Sequence, residues 1–397
     1  MKNERLFLLI LAIIQFTHIL DFMIIMPLGN TLMNAFQITP TEFSLIVSSY
    51  SFAAFIMSLV SALFIDRFDR KKALMILYVG FTIGTLACSF APNYLFFLIA
   101  RSLTGAFGGI ISALILSIIA DSIPYQRRSE AMGIVMTGFS AASVLGVPAG
   151  IQLAAMGSWS TPFLILGLMS AGVCFLIFFV VPQLRKHLEG DQTKENPFIV
   201  IRKIFKTKNQ TNALSFNVIL MLGHFTIIPF IAPYMEMNIG FTETHVAAIY
   251  FFGGLLTVVL LPLFGRLADR HGNVRIFAFG TFVAILSIFM ITNLPKVGIA
   301  LALCVTSTFF VGGSSRNVPA LTMVTSVVQP ENRGSFMSIR ASFVQLTLGL
   351  SSFIAGLIIV KNEDGTLGNY HLVGYLAIAM SLVALWIAPK LKAIKGN

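Results

Sequence analysis

The sequence predicts an all-α integral membrane protein with twelve transmembrane helices. Of its 397 residues, 56% are hydrophobic and only 11% are charged, whereas a soluble domain carries about 25% charged residues. Apolar runs recur along the whole chain, and each is long enough to cross roughly 30 Å of hydrocarbon as a helix. Backbone polar groups inside hydrocarbon must pair within their own segment, so these runs are expected to be helices.

The apolar runs place the helices in order along the chain. The first run contains Asp21 and is too long for a secretory signal, so we expect it to be retained as the first helix. The predicted spans are 6–30, 42–64, 73–91, 95–119, 131–153, 162–181, 212–234, 244–264, 276–293, 298–322, 335–359 and 371–389.

The basic residues predict the orientation. Most of the 27 Lys and Arg fall in one alternating set of loops and at the two ends of the chain. The positive-inside rule therefore places both termini in the cytoplasm. The formal charge of +11 follows from this topology, and no nucleic-acid partner is expected.

The two halves of the chain repeat one another. Three short blocks recur with one common offset of 203 residues: 22–25 with 225–228, 38–43 with 241–246, and 66–67 with 269–270. The repeat predicts a duplicated six-helix unit, an arrangement that places a substrate site near the middle of the bilayer. We expect one bundle at 1–182, a cytoplasmic linker at 183–210 and a second bundle at 211–397. Within the linker, 198–208 is either a short helix on the inner leaflet or a plain solvated segment.

Four motifs in order carry a family resemblance. The segment from Ala62 to Lys72 is similar to the signature Gly-x-x-x-Asp-Arg-x-Gly-Arg-Lys of the major facilitator superfamily, with Ala62 and Asp69 replacing its glycines. The second copy begins at Gly265 and keeps both glycines. Helix 4 carries Arg101 followed by Gly105, and the predicted fifth helix carries Gly138, Gly146, Pro148 and Gly150. The chain resembles the twelve-helix drug and sugar proton antiporters of this superfamily, including arabinose-efflux-like permeases.

The resemblance implies a fold of two pseudo-symmetric six-helix bundles and two sets of working residues. Asp121 becomes a partner for Arg70 in a cytoplasmic latch, a set of charges that holds the inner side closed. The alternative is an ordinary positive-inside loop that only fixes topology. The resemblance also implies a closely packed, bent fifth helix, formed at Gly138, Gly146, Pro148 and Gly150. The alternative is that these residues are general packing positions. The full latch comprises Asp66, Arg67, Arg70, Asp121, Asp269 and Arg270.

Asp21 is the acidic residue that we expect deep inside a helix, where a carboxylate usually marks a functional site. At 1.5 Å per residue, Asp21 lies about 13 Å from the outer end of its helix and Arg101 about 10 Å from the outer end of its own. Because the two depths are similar, the two residues are predicted to form a proton-coupling pair. His224 occupies the position of Asp21 in the repeat and is added to this set. His18 is either a relay residue or a packing residue. Arg316 is expected near the inner end of helix 10. It either binds an anionic substrate or extends its side chain to the membrane interface, and the second interpretation is preferred.

These features predict a secondary active transporter and not an enzyme. The chain has no nucleotide-binding Gly-x-x-x-x-Gly-Lys-[Ser/Thr] loop, so the expected energy source is the proton gradient, without a cofactor or metal. We expect a monomer in a bacterial inner membrane that exports a drug, sugar or metabolite. The alternatives are import of a nutrient or siderophore and, remotely, a membrane sensor or enzyme that does not transport.

Overall fold

The computed structural model describes residues 4–61, 65, 68–184, 197–329 and 333–394, and these are almost entirely helical. Sixteen α-helices are defined within these ranges. They are α1 Glu4–Ile24, α2 Gly29–Phe36, α3 Pro40–Ser61, α4 Arg70–Ser89, α5 Tyr94–Ser122, α6 Arg128–Ala141, α7 Val147–Met156, α8 Thr161–Val180, α9 Pro197–Lys206, α10 Lys208–Phe225, α11 Ile231–Tyr234, α12 Glu243–His271, α13 Asn273–Thr292, α14 Ile299–Thr325, α15 Arg333–Ile358 and α16 Tyr370–Ile387.

Twelve helical segments within the described ranges are long and apolar enough to cross a bilayer. Two of them join several elements. Arg128–Met156 consists of α6, a π-turn at Ala142–Gly146 and α7, and Lys208–Ile239 runs from α10 through α11 to a second π-turn at Met235–Ile239. The predicted all-α membrane fold with twelve spans is confirmed.

The first compact unit comprises residues 1–25 and 49–196. Its core lies between α1, α4, α5, α6 and α8, and it is built from aliphatic residues with a few rings. Tyr78 and Phe81 on α4 stack at 5.6 Å between ring centroids, and both are fully buried. Apolar side chains on all faces of these helices fit a bilayer, because the outward faces meet lipid.

The second compact unit comprises residues 26–48 and 197–397. Its core joins α9, α10, α13, α14, α15 and α16. Here α2 and the start of α3 pack on the α10–α11 segment, where Phe43 meets Phe230 edge to face at 5.7 Å. The division at 1–182, 183–210 and 211–397 stays a prediction.

Three helix ends differ most from the predicted ones. The first helix ends at Ile24, not at residue 30, because the following turn contains Pro27, which lacks a backbone N–H. The seventh span continues to Ile239 and ends at Gly240, which has φ 91°. The eighth continues to His271 and ends at Gly272, with φ 89°. Glycine tolerates this left-handed region, and both helices extend to it.

The loop between α15 and α16 contains a hairpin that the hydropathy pattern did not predict. Strands β1 Val360–Lys361 and β2 Leu367–Gly368 pair antiparallel. Thr366 donates both its hydroxyl, at 2.6 Å, and its backbone N–H, at 2.9 Å, to the Asp364 carboxylate. These bonds favour the ionised form and lower the pKa of Asp364.

The predicted linker is partly helical. Helix α9 covers most of the amphipathic segment 198–208, and its Ile204 is buried in the core of the second unit. Arg202 and Lys203 are exposed on the same helix. The plain solvated interpretation of this segment is therefore wrong, whereas its position on the inner leaflet stays a prediction. The polar part at 185–196 lies outside the described residues.

Candidate coupling site

An ion pair between α1 and α5 is buried inside the first unit. Arg101 Nη1 donates to Asp21 Oδ2 at 2.7 Å, and neither side chain has any solvent exposure. The other ion pairs found among the described residues each include a partly exposed side chain, whereas both members of this pair are fully buried. A buried pair is costly to separate because each charge would then remain uncompensated.

Two further helices complete the surroundings of the pair. Thr85 on α4 donates its hydroxyl to Asp21 Oδ1 at 3.1 Å. The guanidinium carbon of Arg101 lies 4.8 Å from the ring centroid of Tyr50 on α3, a cation–π distance. Both carboxylate oxygens of Asp21 therefore accept a hydrogen bond. The guanidinium of Arg101 pairs with Asp21 and packs its planar face on the Tyr50 ring.

The guanidinium retains unused donors. Arg101 Nε and Nη2 are buried and have no hydrogen-bond partner among the described residues. An arginine carries five N–H groups in a fixed planar arrangement, and an unpaired buried donor is unfavourable by roughly 1–3 kcal/mol. The site therefore has capacity for one more acceptor, such as a water molecule or a substrate oxygen.

Glycines on α5 allow this approach. A Cβ at Gly105 would overlap the backbone of Tyr50, and one at Gly108 would lie 2.6 Å from the Tyr50 hydroxyl. Gly105 belongs to the predicted motif after Arg101, and Gly108 follows three residues later. Their physical role is to let α3 touch α5, so that the Tyr50 ring covers the guanidinium.

His18 lies one turn before Asp21 but takes part in a separate polar group. Its Nε2 lies 2.8 Å from Ser112 Oγ on α5 and 3.3 Å from Gln15 Oε1, and Ser112 also donates to Gln15 at 3.1 Å. The His18 Nδ1 is buried without a partner in the described chain. These contacts join α1 to α5, and a relay function for His18 stays a prediction.

His224 and Arg316 meet in the second unit. Arg316 Nη2 lies 3.3 Å from His224 Nδ1, and Arg316 Nη1 donates to Ser381 Oγ at 2.9 Å. Arg316 has no solvent exposure. The preferred interpretation that Arg316 reaches the interface is wrong, because α14 continues to Thr325 and leaves Arg316 about 14 Å from its end at 1.5 Å per residue.

The predicted latch is partly visible. Arg70 Nε lies 2.9 Å from Asp121 Oδ2, with the side chains 4% and 28% exposed. Asp69 caps α4 by accepting the N–H of Lys71 at 2.8 Å, which explains an acid where the related motif has glycine. Asp66 and Arg67 lie outside the described residues.

The second copy of the latch motif has a different setting. Asp269 and Arg270 are exposed in the last turn of α12, and within the described ranges neither forms an ion pair. The sequence placed them in a loop, whereas the helix continues through both. The latch role of all six residues stays a prediction.

The three motif glycines of the fifth span all face α1. A Cβ at Gly138 would overlap the carbonyl oxygen of Ala12, and one at Gly150 would overlap the Ile24 side chain. A Cβ at Gly146 would lie 3.0 Å from the Leu20 side chain. The π-turn ends at Gly146, and the backbone N–H of Val147 donates to Ala142, five positions back, instead of four. Pro148 is the next residue. The motif thus packs the fifth span along the helix that carries Asp21.

One acid that the sequence placed in a loop lies in the last turn of a helical span. Glu236 is half-buried in the π-turn that ends the seventh span. Because Glu236 lies in the last turn of its span, the expectation that Asp21 is the acid deep inside a helix is unaffected. The predicted end of this span at residue 234 hid Glu236, and the glycine at 240 was the available signal of a longer helix.

Comparison with known proteins decides the family. The sequence profile described as the Major Facilitator Superfamily matches residues 11–313 and, again, 213–395. The chain belongs to the major facilitator superfamily. It is 25% identical over 353 residues to a probable sugar efflux transporter of Mannheimia succiniciproducens, covering 88% of this chain and 85% of the relative. It is 28% identical over 252 residues to the putative transporter AraJ of Escherichia coli, covering 62% and 61%.

A solved structure shares the same fold. The xylose transporter XylE of E. coli, in a partially occluded inward-open conformation, matches with a TM-score of 0.76 and 16% identity over 100% of both chains. The family, the arabinose-efflux-like resemblance and the major facilitator fold are confirmed. The protein is a multi-pass membrane transporter.

Proposed function

We propose that this transporter exports a small organic compound in exchange for protons, and that Asp21 carries the proton. The observation that carries the proposal is the fully buried Asp21–Arg101 pair, with two arginine donors left unused. While the carboxylate is ionised, the ion pair fixes the Arg101 guanidinium, so that a substrate oxygen can bind its two unused donors. Protonation of Asp21 breaks this ion pair and releases the substrate, so that proton and substrate occupy the site in turn as it alternates between the two sides of the membrane.

Export is supported by the relatives and by the fifth span. The Mannheimia relative is described as a probable sugar efflux transporter, and Gly138 to Gly150 resemble the motif of proton-driven antiporters. A proton moving down 100 mV supplies about 2.3 kcal/mol, which is enough to bias exchange. The proposal includes a monomer in a bacterial inner membrane, both termini cytoplasmic, and no cofactor besides the proton gradient.

Export by exchange can be tested in everted membrane vesicles. Compounds are first chosen by comparing growth inhibition in cells that lack or overproduce the protein. Vesicles acidified by respiration are then loaded with a pH-sensitive dye, and each compound is added outside. The wild type should release protons when its substrate is added. Asp21→Asn should not, whereas Asp364→Asn, which changes an exposed loop carboxylate, should behave as the wild type does.

The alternative is import by symport, and the same preparation separates the two directions. An importer would respond to the compound in right-side-out vesicles, where the outer side is accessible, and would accumulate it inside as protons enter. Proton release by Asp21→Asn at the wild-type rate would contradict the role of Asp21. Gradient-driven accumulation confined to right-side-out vesicles would contradict export.

A further inference from the structure

Arg316 is held in the second unit by neutral groups. Ser381 on α16 accepts from Nη1 at 2.9 Å, and His224 on α10 faces Nη2 at 3.3 Å. The Nε atom is buried and has no partner in the described chain. Because Nδ1 of His224 faces an N–H donor, this ring atom acts as the acceptor and is unprotonated.

The charge of Arg316 has no counter-charge within the parts of the chain that the structure describes. None of their aspartates or glutamates lies within 4.0 Å of its nitrogens. This differs from Arg101, which has Asp21 at 2.7 Å. An intramembrane arginine is unfavourable and is normally paired, and a fully buried charge without a partner is more so. An anion from outside the protein would supply the missing charge.

The free edge of the guanidinium suits a carboxylate or phosphate. Nε and Nη2 lie on one edge of the plane, the edge that such groups engage with two parallel hydrogen bonds. At Arg316, Nε is unused and Nη2 makes one long contact at 3.3 Å. Two oxygen atoms of one anionic group would therefore satisfy both nitrogens.

The side chains beside Arg316 include two stacked rings. The ring of His224 stacks on Phe309 at 4.9 Å between centroids, with 20° between the planes. Gly313 makes room for this ring, because a Cβ there would overlap it. One turn separates Gly313 from Phe309 on α14, and Arg316 follows on the same face. An apolar body beside an anionic group would find matching surroundings here.

We propose that Arg316 binds the anionic group, a carboxylate or a phosphate, of an amphipathic organic substrate, and that His224 and Ser381 position Arg316 for it. This inference rests on the proposed transport function and names its substrate class. Arg316 contacts the anion, Ser381 fixes the plane of the guanidinium through Nη1, and His224 positions Nη2 of Arg316. The competing role is a structural cross-link between α10, α14 and α16, which would show no preference for anions.

Binding to the purified full-length protein in detergent, without any gradient, tests the site. Calorimetry compares benzoate with benzamide and glucose 6-phosphate with glucose, so each anion has a neutral counterpart of similar shape. The wild type should bind at least one anion about tenfold or more tightly than its counterpart, corresponding to 1.4 kcal/mol or more. A response to benzoate alone assigns a carboxylate, and a response to glucose 6-phosphate alone assigns a phosphate.

Variants connect the preference to Arg316. Arg316→Gln should weaken anion binding about tenfold or more and leave the neutral compounds unchanged, while Arg316→Lys should retain part of the preference. Arg340→Gln is the matched control, because Arg340 is a half-buried arginine of the same unit that already donates to Asn217 at 3.0 Å. If Arg316→Gln does not fold, Ser381→Ala removes one hydrogen bond, retains the charge and should weaken anion binding measurably.

Two results would overturn the site. One is equal affinity of the wild type for each anion and its neutral counterpart. The other is an anion preference that survives in Arg316→Gln, or in Ser381→Ala where the first variant is unfolded. Because these measurements need no proton gradient, their failure leaves proton release in everted vesicles as an independent test of the transport function.

Discussion

At the level of single residues, two buried arginines in different units have different partners. Arg101 is neutralised by Asp21 and covered by Tyr50, whereas Arg316 is surrounded by neutral acceptors. The first arrangement can exchange a proton on Asp21 for a substrate bound to Arg101. The second has a charge that remains to be balanced. This difference assigns proton coupling to the first unit and an anionic substrate group to the second in our proposals.

Removing Arg101 should destabilise the protein more than removing the whole pair. Arg101→Gln leaves the Asp21 carboxylate buried without its cation, and the loss should be about 3–5 kcal/mol. The double variant Asp21→Asn with Arg101→Gln removes both charges and should recover most of that stability. Thermal unfolding in detergent measures the coupling as a double-mutant cycle. Additive losses in the two single variants would contradict a direct pair.

The sequence identified Asp21 and Arg101 but not their neighbours. A carboxylate and an arginine inside apolar runs are conspicuous, and counting helix turns placed them at similar depth. Thr85 and Tyr50 carry no such signal, because serine, threonine and tyrosine are common in these helices. Their approach depends on the rotation of α3 and α4 against α5, which hydropathy does not specify. The burial of Arg316 depends likewise on Ser381, 65 residues further along the chain.

At the level of helices, the fifth span is fitted to α1 by its glycines. Gly138 lies against the Ala12 backbone and Gly150 against Ile24. Small residues at such positions let membrane helices approach closely, with packing rather than burial from water holding them together. Since α1 carries Asp21 at its far end, the register of this packing also positions the carboxylate.

Two glycines on α6 give a matched comparison. Gly138→Ala places a Cβ in the carbonyl oxygen of Ala12, and the overpacking should destabilise by about 1–3 kcal/mol. Gly133→Ala meets nothing within 4 Å and should be neutral or stabilising by about 0.5–1 kcal/mol, because alanine favours a helix over glycine. Thermal unfolding of the two purified variants checks the difference. Equal stability would show that this contact is loose in the protein.

Helix existence was predictable and helix ends were not. Hydropathy located every span, because the need to cross hydrocarbon dominates the composition. The ends depend on local features such as Pro27, Gly240 and Gly272, which hydropathy averages out. The missed extension of the seventh span explains why Glu236 was placed in a loop, and the missed extension of the tenth explains why Arg316 was placed near an interface.

At the level of the whole molecule, membership of the major facilitator superfamily establishes transport. The profile of the superfamily covers nearly the whole chain, and a relative described as a probable sugar efflux transporter covers 88% of it. Proton coupling rests on one buried pair. If Asp21 carries the proton, the step that returns the transporter with its proton should be lost when Asp21 is replaced, whereas the step that exchanges substrate for substrate should remain.

The most direct test compares these two steps in proteoliposomes with a substrate found in the growth comparison. Asp21→Asn should fail to accumulate labelled substrate under an imposed pH gradient, yet it should still exchange labelled for unlabelled substrate without a gradient. The wild type should do both. Gradient-driven accumulation by Asp21→Asn at the wild-type rate would contradict the central claim that this carboxylate couples proton movement to transport.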